Sequence, residues 1–161
     1  MMKVYKMIAA AVAALCLTSC LERHLEDLPT YTGNDIESVA GVIYRFYTGN
    51  VIEASGEEEI AQYVMGSNAS VDKDAATVEV TVTIPSNLPA EQREKVSLSY
   101  KRGDRQGLGL IVNLSAAAII SPLDGAPVLG APGDWSKPNR YEVMAADGSK
   151  KIWTITMKLN K

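Results

Sequence analysis

Few side chains in this sequence are suited to catalysis. The chain has 161 residues but a single histidine, His24, which lies close to the N-terminus. A Ser-His-Asp or Cys-His arrangement needs a histidine beside its nucleophile, and most zinc sites use histidine or several cysteines. We therefore expect no enzyme, no metal centre and no cofactor.

Acidic residues are the remaining groups that could do chemistry, since glycoside hydrolysis needs only two carboxylates. Their positions are typical of a solvated loop or of the polar face of a strand, which is the interpretation we favour. Asp72 and Asp74 could also hold calcium, but a third carboxylate and a glycine turn are missing, so this is the weaker hypothesis. The residues concerned are Glu57, Glu58, Glu59, Asp72, Asp74 and Glu79.

Two short motifs have known functional counterparts. Arg102-Gly103-Asp104 matches an adhesion tripeptide, but it is equally an ordinary charged turn, which we favour. Gly107 and Gly109 lack the further glycine and the strand-to-helix context of a dinucleotide-binding loop. They therefore indicate a bulge or a turn.

The strongest candidate for ligand binding is a loop that contains a tryptophan among polar residues. A flat apolar ring beside hydrogen-bonding groups is the arrangement used in sugar recognition. The alternative is that Trp135 folds back and closes the end of the domain, with its indole N–H paired. We favour this second interpretation because Gly130, Pro132, Gly133 and Pro138 would hold the loop against the domain. The candidate ligand-binding residues are Asp134, Trp135, Lys137 and Asn139.

The first twenty residues indicate export. Lys3 and Lys6 precede an uncharged, mostly apolar run over 7–17, which is well short of the roughly 20 residues of a membrane-spanning helix. Leu17-Thr18-Ser19-Cys20 resembles a bacterial lipobox, which implies a signal peptide over 1–19 and a lipid on Cys20. The alternative is an ordinary secretory signal with a chance cysteine.

The remaining cysteine, Cys16, lies inside the signal, so an unlipidated Cys20 would be a stray thiol in the exported chain. We therefore expect a lipoprotein that contacts the membrane through the lipid on Cys20. Leu21, in place of an Asp, suits outer-membrane delivery in the lipoproteins that this segment resembles, and the sequence leaves open which face of that membrane is occupied. No dense basic patch indicates nucleic acid as a partner.

The clearest structural pattern is a hairpin over 141–159. Apolar residues alternate with polar ones on both sides of Asp147-Gly148, a pair that favours the positive φ of a tight turn. One face of the hairpin is apolar and therefore needs a second layer.

The rest of the chain predicts further short strands. They cover 36–47, 51–55, 60–65, 77–84, the alternation at Val96, Leu98 and Tyr100, and one long or bulged strand over 108–120. We expect a helical turn within 86–94 and a structured loop over 123–140. The predicted core consists of Tyr44, Phe46, Val80, Val82, Leu98, Ile111, Tyr141, Val143, Trp153 and Ile155 or close neighbours.

Together these elements predict an all-β protein. Short strands with one apolar face each are what a two-sheet sandwich requires. We expect a lipidated tether over 20–35 and one immunoglobulin-like β-sandwich over 36–161, preceded by the signal segment.

Several motifs resemble the immunoglobulin-like domains of Bacteroidetes surface lipoproteins. They are Ile84-Pro85, the run from Ala118 to Pro122, and the pattern from Tyr141 to Thr156. The resemblance covers roughly the C-terminal half, whereas residues 36–76 depart from the short first strands usual in that group. It implies a protein of unknown function among glycan-uptake systems, and it transfers no catalytic residue.

Two classes of function stay open. The first is a non-enzymatic accessory or binding module of the outer membrane that captures glycans. The second is a structural spacer or assembly partner in a complex of surface proteins. An exposed Trp135 beside a groove would favour the first, whereas an exposed apolar patch or a free strand edge would favour the second.

Overall fold

The computed structural model describes residues 30–100 and 106–160. Cys20, the signal segment and the Arg102-Gly103-Asp104 motif lie outside the described residues. Within these residues, a short helix α1 (Ala90–Lys95) accompanies the strands β1 (Ile36–Val51), β2 (Glu58–Asp72), β3 (Thr77–Thr83), β4 (Gly107–Leu114), β5 (Ile119–Pro122), β6 (Asn139–Met144) and β7 (Lys150–Asn160).

The strands hydrogen-bond in the order β4-β1-β2-β3-β7-β6-β5. β3 and β7 are parallel, and the other neighbouring pairs are antiparallel. The predicted all-β class is confirmed, and the mixed sheet is folded into a sandwich-like domain. No helix in the described part of the chain has the length and apolarity to cross a membrane.

β2 joins the two halves of this arrangement. Up to Met65 it pairs with β1, and from Gly66 onward it pairs with β3. The sequence predicted a strand over 60–65 only, because the residues from Gly66 to Ser70 are small or polar and show no apolar alternation. Pairing with β3 keeps this segment extended.

The predicted C-terminal hairpin is confirmed. β6 and β7 pair with Tyr141 opposite Trp153, and Gly148 has the positive φ that the turn requires, +85°. The turn is closed by a 2.9 Å hydrogen bond from the backbone N–H of Ala145 to the carbonyl of Ser149. The predicted apolar face points inward, and its residues Tyr141, Val143, Trp153 and Ile155 are buried.

The core contains every predicted member except Ile111, with Leu98 partly buried at its border. Gly107 and Gly109 occupy the outward positions of β4, so Leu108 and Leu110 take the inward ones. Placing Ile111 in the core was therefore wrong, because it continues the outward series and is exposed. Gly109 does not form a bulge or turn but allows close packing, since a Cβ there would lie 3.0 Å from the carbonyl oxygen of Ala131.

Three other strand predictions were wrong. The segment over 108–120 is two strands, because the chain turns at Ala117, with φ at +60°, and β4 pairs with β1 whereas β5 pairs with β6. Residues 51–55 are not a separate strand, because Val51 ends β1 and 52–55 lie in the turn to β2, which a hydrogen bond from the N–H of Gly56 to the carbonyl of Ile52 closes. Residues 96–100 form no strand, and only their alternate apolar side chains pack inward. The helical turn predicted within 86–94 corresponds to α1.

The chain enters the domain beside the turn of the C-terminal hairpin. The backbone N–H of Asp147 donates to the carbonyl of Tyr31 at 3.3 Å, and Trp153 donates from Nε1 to the carbonyl of Asn34 at 3.2 Å. Lys151 Nζ lies 2.6 Å from Asp35 Oδ1. Residues 31–35 are thus held against β7 and the turn that precedes it, which places the start of the domain at this end.

Candidate functional site

The loop between β5 and β6 lies along the outer edge of β4. The N–H of Gly130 donates to the carbonyl of Leu110 at 2.7 Å, and that of Gly133 donates to the carbonyl of Leu108 at 3.0 Å. These bonds pair backbone groups that an uncovered edge strand would expose. The loop therefore protects one margin of the sheet.

Trp135 completes this protection. Its side chain is 1% exposed, and its Nε1 donates to the carbonyl of Leu108 at 2.8 Å. Its backbone N–H donates to the carbonyl of Leu98 at the same distance. The indole thus closes the end of the domain, as the favoured interpretation of the sequence predicted, and it has no exposed face on which a sugar could stack.

The polar residues beside Trp135 bond within their own loop. Asn139 is buried and donates from Nδ2 to the carbonyls of Asp134, at 2.9 Å, and Lys137, at 3.2 Å. Asp134 Oδ1 accepts from the hydroxyl of Ser136 at 2.6 Å and from its N–H at 3.0 Å. These bonds hold the pKa of Asp134 below its usual value. The Lys137 side chain is exposed, and a ligand-binding role for the four candidate residues stays a prediction.

Tyr141 ties the other side of the same loop to the core. Its hydroxyl donates to the carbonyl of Pro127 at 2.8 Å, and burial raises the pKa of this phenol. The loop is therefore fastened at Trp135 and at Tyr141 and functions as a rigid cover for the sheet.

Two of the candidate acidic residues, Asp72 and Glu59, have structural partners. Asp72 Oδ1 accepts from the N–H groups of Asp74 and Ala75, at 3.0 and 2.9 Å, and so shapes the turn before β3. Asn50 and Thr48 donate to Glu59 Oε2, and these bonds lower the pKa of the Glu59 carboxyl. Within residues 30–100 and 106–160, no three side chains of metal-ligating type converge.

An exposed apolar surface lies on the hairpin of β1 and β2. Val64 is 73% exposed and Ile60 is 50% exposed, and both side chains project from the outer side of β2. Their opposite residues on β1 are Ile43 and Tyr47. We call this surface the hairpin face and define it by Tyr47, Ile60, Gln62 and Val64.

The pairing pattern fixes where the backbone groups of β2 point. In β4 the carbonyls of Leu108 and Leu110 accept bonds from the loop, so these two residues point their backbone groups away from β1. Successive residues of a strand turn these groups to opposite edges. Gly107 and Gly109 therefore bond to β1.

The same alternation continues across β1. Gly109 lies opposite Ile43, so Ile43 bonds to β4 and Tyr44 bonds to β2, where it faces Tyr63. Since Tyr63 bonds to β1, the alternate residues Ile60, Gln62 and Val64 point their N–H and C=O groups away from β1. In the described part of the chain, no strand pairs with these groups. We call these groups the β2 edge; they belong to Ile60, Gln62 and Val64.

The turn of this hairpin is acidic. Between Val51 and Ile60 the sequence contains four glutamates and no lysine or arginine. A depression of about 550 Å³ lies here, lined by Tyr47, Val51 and Ile60 on its apolar side and by Glu57 and Glu58 on its acidic side. We call residues 51–59 the hairpin tip.

A second depression, of about 540 Å³, lies beside α1. It is shallow and is lined by Ile84, Ala90, Arg93 and Glu94. Arg93 and Glu94 are exposed and of opposite charge. The site offers no set of converging buried polar groups, which small-ligand pockets normally have.

The hairpin face was missed in the sequence, although a signal was present. From Ile60 to Met65, apolar residues occupy both alternating positions of the strand: Ala61, Tyr63 and Met65 on one side, and Ile60 and Val64 on the other. A strand with one buried face needs apolar residues on that side alone. The second apolar series indicates a surface with an additional role.

Comparison with known proteins agrees with the fold. A family model described as DUF5018-related matches residues 36–156, from the first residue of β1 into β7. The chain belongs to the DUF5018-related family. Among curated proteins, no sequence matches it significantly.

A solved structure from a Bacteroides species shares this fold. It is a crystal structure from Bacteroides fragilis NCTC 9343, described as a "putative secreted protein", with 38% sequence identity and a TM-score of 0.68. The match covers 83% of this chain and 100% of the other. The DUF5018-related fold thus occurs in a Bacteroides protein, which fits the group of bacteria that the sequence motifs resemble.

Proposed function

We propose that this DUF5018-related protein is a non-enzymatic accessory lipoprotein of the outer membrane, and that it binds a partner protein of the cell envelope through the hairpin face. The description of the Bacteroides fragilis relative as secreted supports an extracellular or envelope location. The lipid on Cys20, inferred from the lipobox, would supply the anchor. A single acyl chain binds a membrane only reversibly, so a stable membrane anchor needs several acyl groups.

The observation that carries the proposal is the exposure of Val64 and Ile60 on one outer surface. Isolated apolar residues are common on protein surfaces, whereas grouped ones mark interaction sites. The hairpin face meets that description because its exposed apolar side chains continue onto Val51 and Ile52 at the tip. Burial of this surface would contribute about 25 cal/mol for each Å² of apolar area removed from water.

The position of the tether supports the same function. Residues 31–35 are fixed beside the turn of the C-terminal hairpin, and β1 starts at Ile36, immediately after them. β1 has 16 residues, which at about 3.3 Å per residue extend up to roughly 50 Å. An anchor at the N-terminus would therefore leave the hairpin tip at the far end, directed away from the lipid.

Glycan capture, the other function suggested by the sequence, has less support. The ring of Trp135 is buried, and its polar neighbours bond within the loop. A glycan would have to use another surface. Binding of the soluble 21–161 domain to a glycan array, with loss of the signal in Lys137→Ala, would restore this function to first place.

The docking proposal is tested with a matched pair of substitutions in the full-length lipidated protein. Val64→Lys puts a charge on the hairpin face, and Val128→Lys puts the same charge on an exposed valine outside it, 64% exposed against 73% for Val64. The proteins are produced in their own bacterium and extracted in mild detergent. Their particle sizes are then compared by gel filtration, and their thermal melts verify that both variants are folded.

We expect the wild type and Val128→Lys to elute with a partner and Val64→Lys to elute as the single chain. A lysine at the centre of a docked apolar surface would lose its hydration without gaining a counter-charge. Equal elution of all three proteins would contradict docking through the hairpin face.

A further inference from the structure

We propose that the partner binds by adding an extended strand to the β2 edge, antiparallel to β2, and that this strand carries a lysine or arginine near its carboxyl end, against the hairpin tip. The inference rests on the proposed function, because it specifies the occupant of the hairpin face. The partner would contribute an extended polypeptide segment that contains both apolar and basic residues.

Up to Met65, the backbone of β2 is unpaired on the side away from β1 within the described residues. Ile60, Gln62 and Val64 present N–H and C=O groups away from β1, in the spacing that an antiparallel strand requires. Strand addition obtains its affinity from such main-chain bonds and its specificity from alternate side chains. At the margin of the sheet formed by β4, by contrast, the outward carbonyls of Leu110 and Leu108 already accept hydrogen bonds from Gly130 and Gly133.

The side chains beside the β2 edge would also suit an added strand. Every second side chain of that strand would lie on the outer surface beside Ile60 and Val64, at the cross-strand distance of about 4.5–5.5 Å. Apolar or β-branched residues at these positions would cover the two exposed side chains. The central neighbour is Gln62, whose Oε1 accepts from Arg45 at 3.2 Å, so a polar residue suits the middle of the strand.

The charge of the hairpin tip favours a basic residue at one end of the added strand. An antiparallel strand that begins beside Val64 ends at the hairpin tip, and residues 51–59 of the tip include four glutamates. The depression there combines carboxylates of Glu57 and Glu58 with the apolar side chains of Val51 and Ile60. A long basic side chain is complementary to this depression, because its aliphatic stem can cover apolar surface while its cationic end meets carboxylates.

A second copy of this chain fits the edge less well. Antiparallel pairing of two β2 edges about Gln62 would place Ile60 of each copy beside Val64 of the other. Glu58 would then lie beside Gly66, and the following residues up to Ser70 carry no charge. Pairing of two copies thus brings no lysine or arginine of β2 to the hairpin tip, whereas a basic segment would, so charge complementarity favours the basic segment.

The experiment uses an acetylated peptide of alternating Val and Thr with a Lys near its carboxyl end, mixed with the full chain in detergent. Amide hydrogen exchange is followed residue by residue in the presence and absence of the peptide. We expect exchange to slow several-fold at Ile60, Gln62 and Val64 only, because Ala61 and Tyr63 already bond to β1. The same peptide with Glu in place of Lys should give a weaker effect.

Two variants of Gln62 provide the control. Gln62→Pro removes one N–H from the β2 edge and leaves the bonds to β1 in place, whereas Gln62→Ala changes the side chain but keeps the N–H. We expect the peptide to slow exchange at Ile60 and Val64 in the Ala variant and to have no effect in the Pro variant. Unchanged exchange at the edge of the wild type, with peptide in excess, would overturn the proposal, as would equal effects in both variants.

The outcomes separate this inference from the proposed function. If Val64→Lys releases a partner from the full chain but exchange at the three edge amides stays the same with the peptide, docking holds and strand addition by a basic segment fails. If Val64→Lys elutes with the wild type, docking itself fails. Pairing with a second copy would appear as slowed exchange that rises with protein concentration and without peptide.

Discussion

The indole nitrogen of Trp135 donates a hydrogen bond of 2.8 Å to the backbone carbonyl of Leu108. This bond joins the loop between β5 and β6 to the edge strand β4, and the buried ring fills the space between them. Trp135 thus contributes both a buried apolar ring and a hydrogen bond to a backbone carbonyl at the margin of the sheet. The loop depends on it more than on any of its exposed polar residues.

We predict that Trp135→Ala lowers the free energy of unfolding by about 3–5 kcal/mol, as is usual for truncation of a buried aromatic residue. Lys137→Ala, two positions away and exposed, should change it by less than about 0.5 kcal/mol. Urea denaturation of the soluble domain measures both. If the Trp135 variant unfolds at the same urea concentration as the wild type, the ring does not serve as a structural plug.

A second prediction concerns the two faces of β7. Ile155 is fully buried, so Ile155→Ala should destabilise the domain by about 2–5 kcal/mol. Thr156 is partly exposed and its hydroxyl makes one long contact, 3.4 Å, to the carbonyl of Val78, so Thr156→Ala should cost less than about 1 kcal/mol. Equal shifts of the urea midpoint would mean that the faces of the strand are reversed.

The C-terminal hairpin could be predicted because its turn and its alternation specify the same register. Gly148 supplies the positive φ, and the alternation on both arms places Tyr141 and Trp153 on one face. In β4, by contrast, the run from Leu108 to Val112 is apolar at both alternating positions apart from Gly109, so the sequence does not show which residues point inward. Close packing of the loop against Gly109 decides which residues of β4 point inward, and the loop is distant from Gly109 in the sequence.

The exposure of the candidate surface could not be predicted, although the second apolar series of β2 is visible in the sequence. Whether Ile60 and Val64 are covered depends on what packs over the outer side of β2. The sequence alone does not contain that information. The loop with Trp135, in contrast, was correctly interpreted as a plug because its glycines and prolines limit its conformations.

A third prediction follows from the buried phenol of Tyr141. At neutral pH, Tyr141→Phe should lower the free energy of unfolding by about 1 kcal/mol through loss of the bond to the carbonyl of Pro127. Burial raises the pKa of Tyr141 in the folded protein, whereas an unfolded tyrosine has a pKa of about 10. The wild type therefore loses stability relative to the variant as the pH rises above about 10, because only its unfolded state can ionise there.

Urea midpoints of the two proteins, measured from neutral to alkaline pH, check this prediction. The other tyrosines, including the buried Tyr44, are present in both proteins, so their contributions cancel in the difference. The stability advantage of the wild type should decrease and then reverse. A difference that is independent of pH would contradict a raised pKa of Tyr141.

A fourth prediction concerns the anchor. Cys20→Ser should abolish membrane association without changing the thermal melt, since the core described here begins at Ile36. Labelling of growing cells with a fatty-acid analogue, followed by membrane fractionation, measures the effect. Incorporation of the label into the serine variant, or its retention in the membrane fraction, would show that another feature holds the protein there.

The central claim is that the hairpin face meets a partner protein in the cell envelope. The most direct measurement is photo-crosslinking in living cells, with a photoreactive amino acid at Val64 in one strain and at Val128 in another. We predict an adduct of a single size at Val64 and none at Val128, and mass spectrometry should identify a different protein in that adduct. Equal adducts at both positions, or an adduct made only of this chain, would contradict the account.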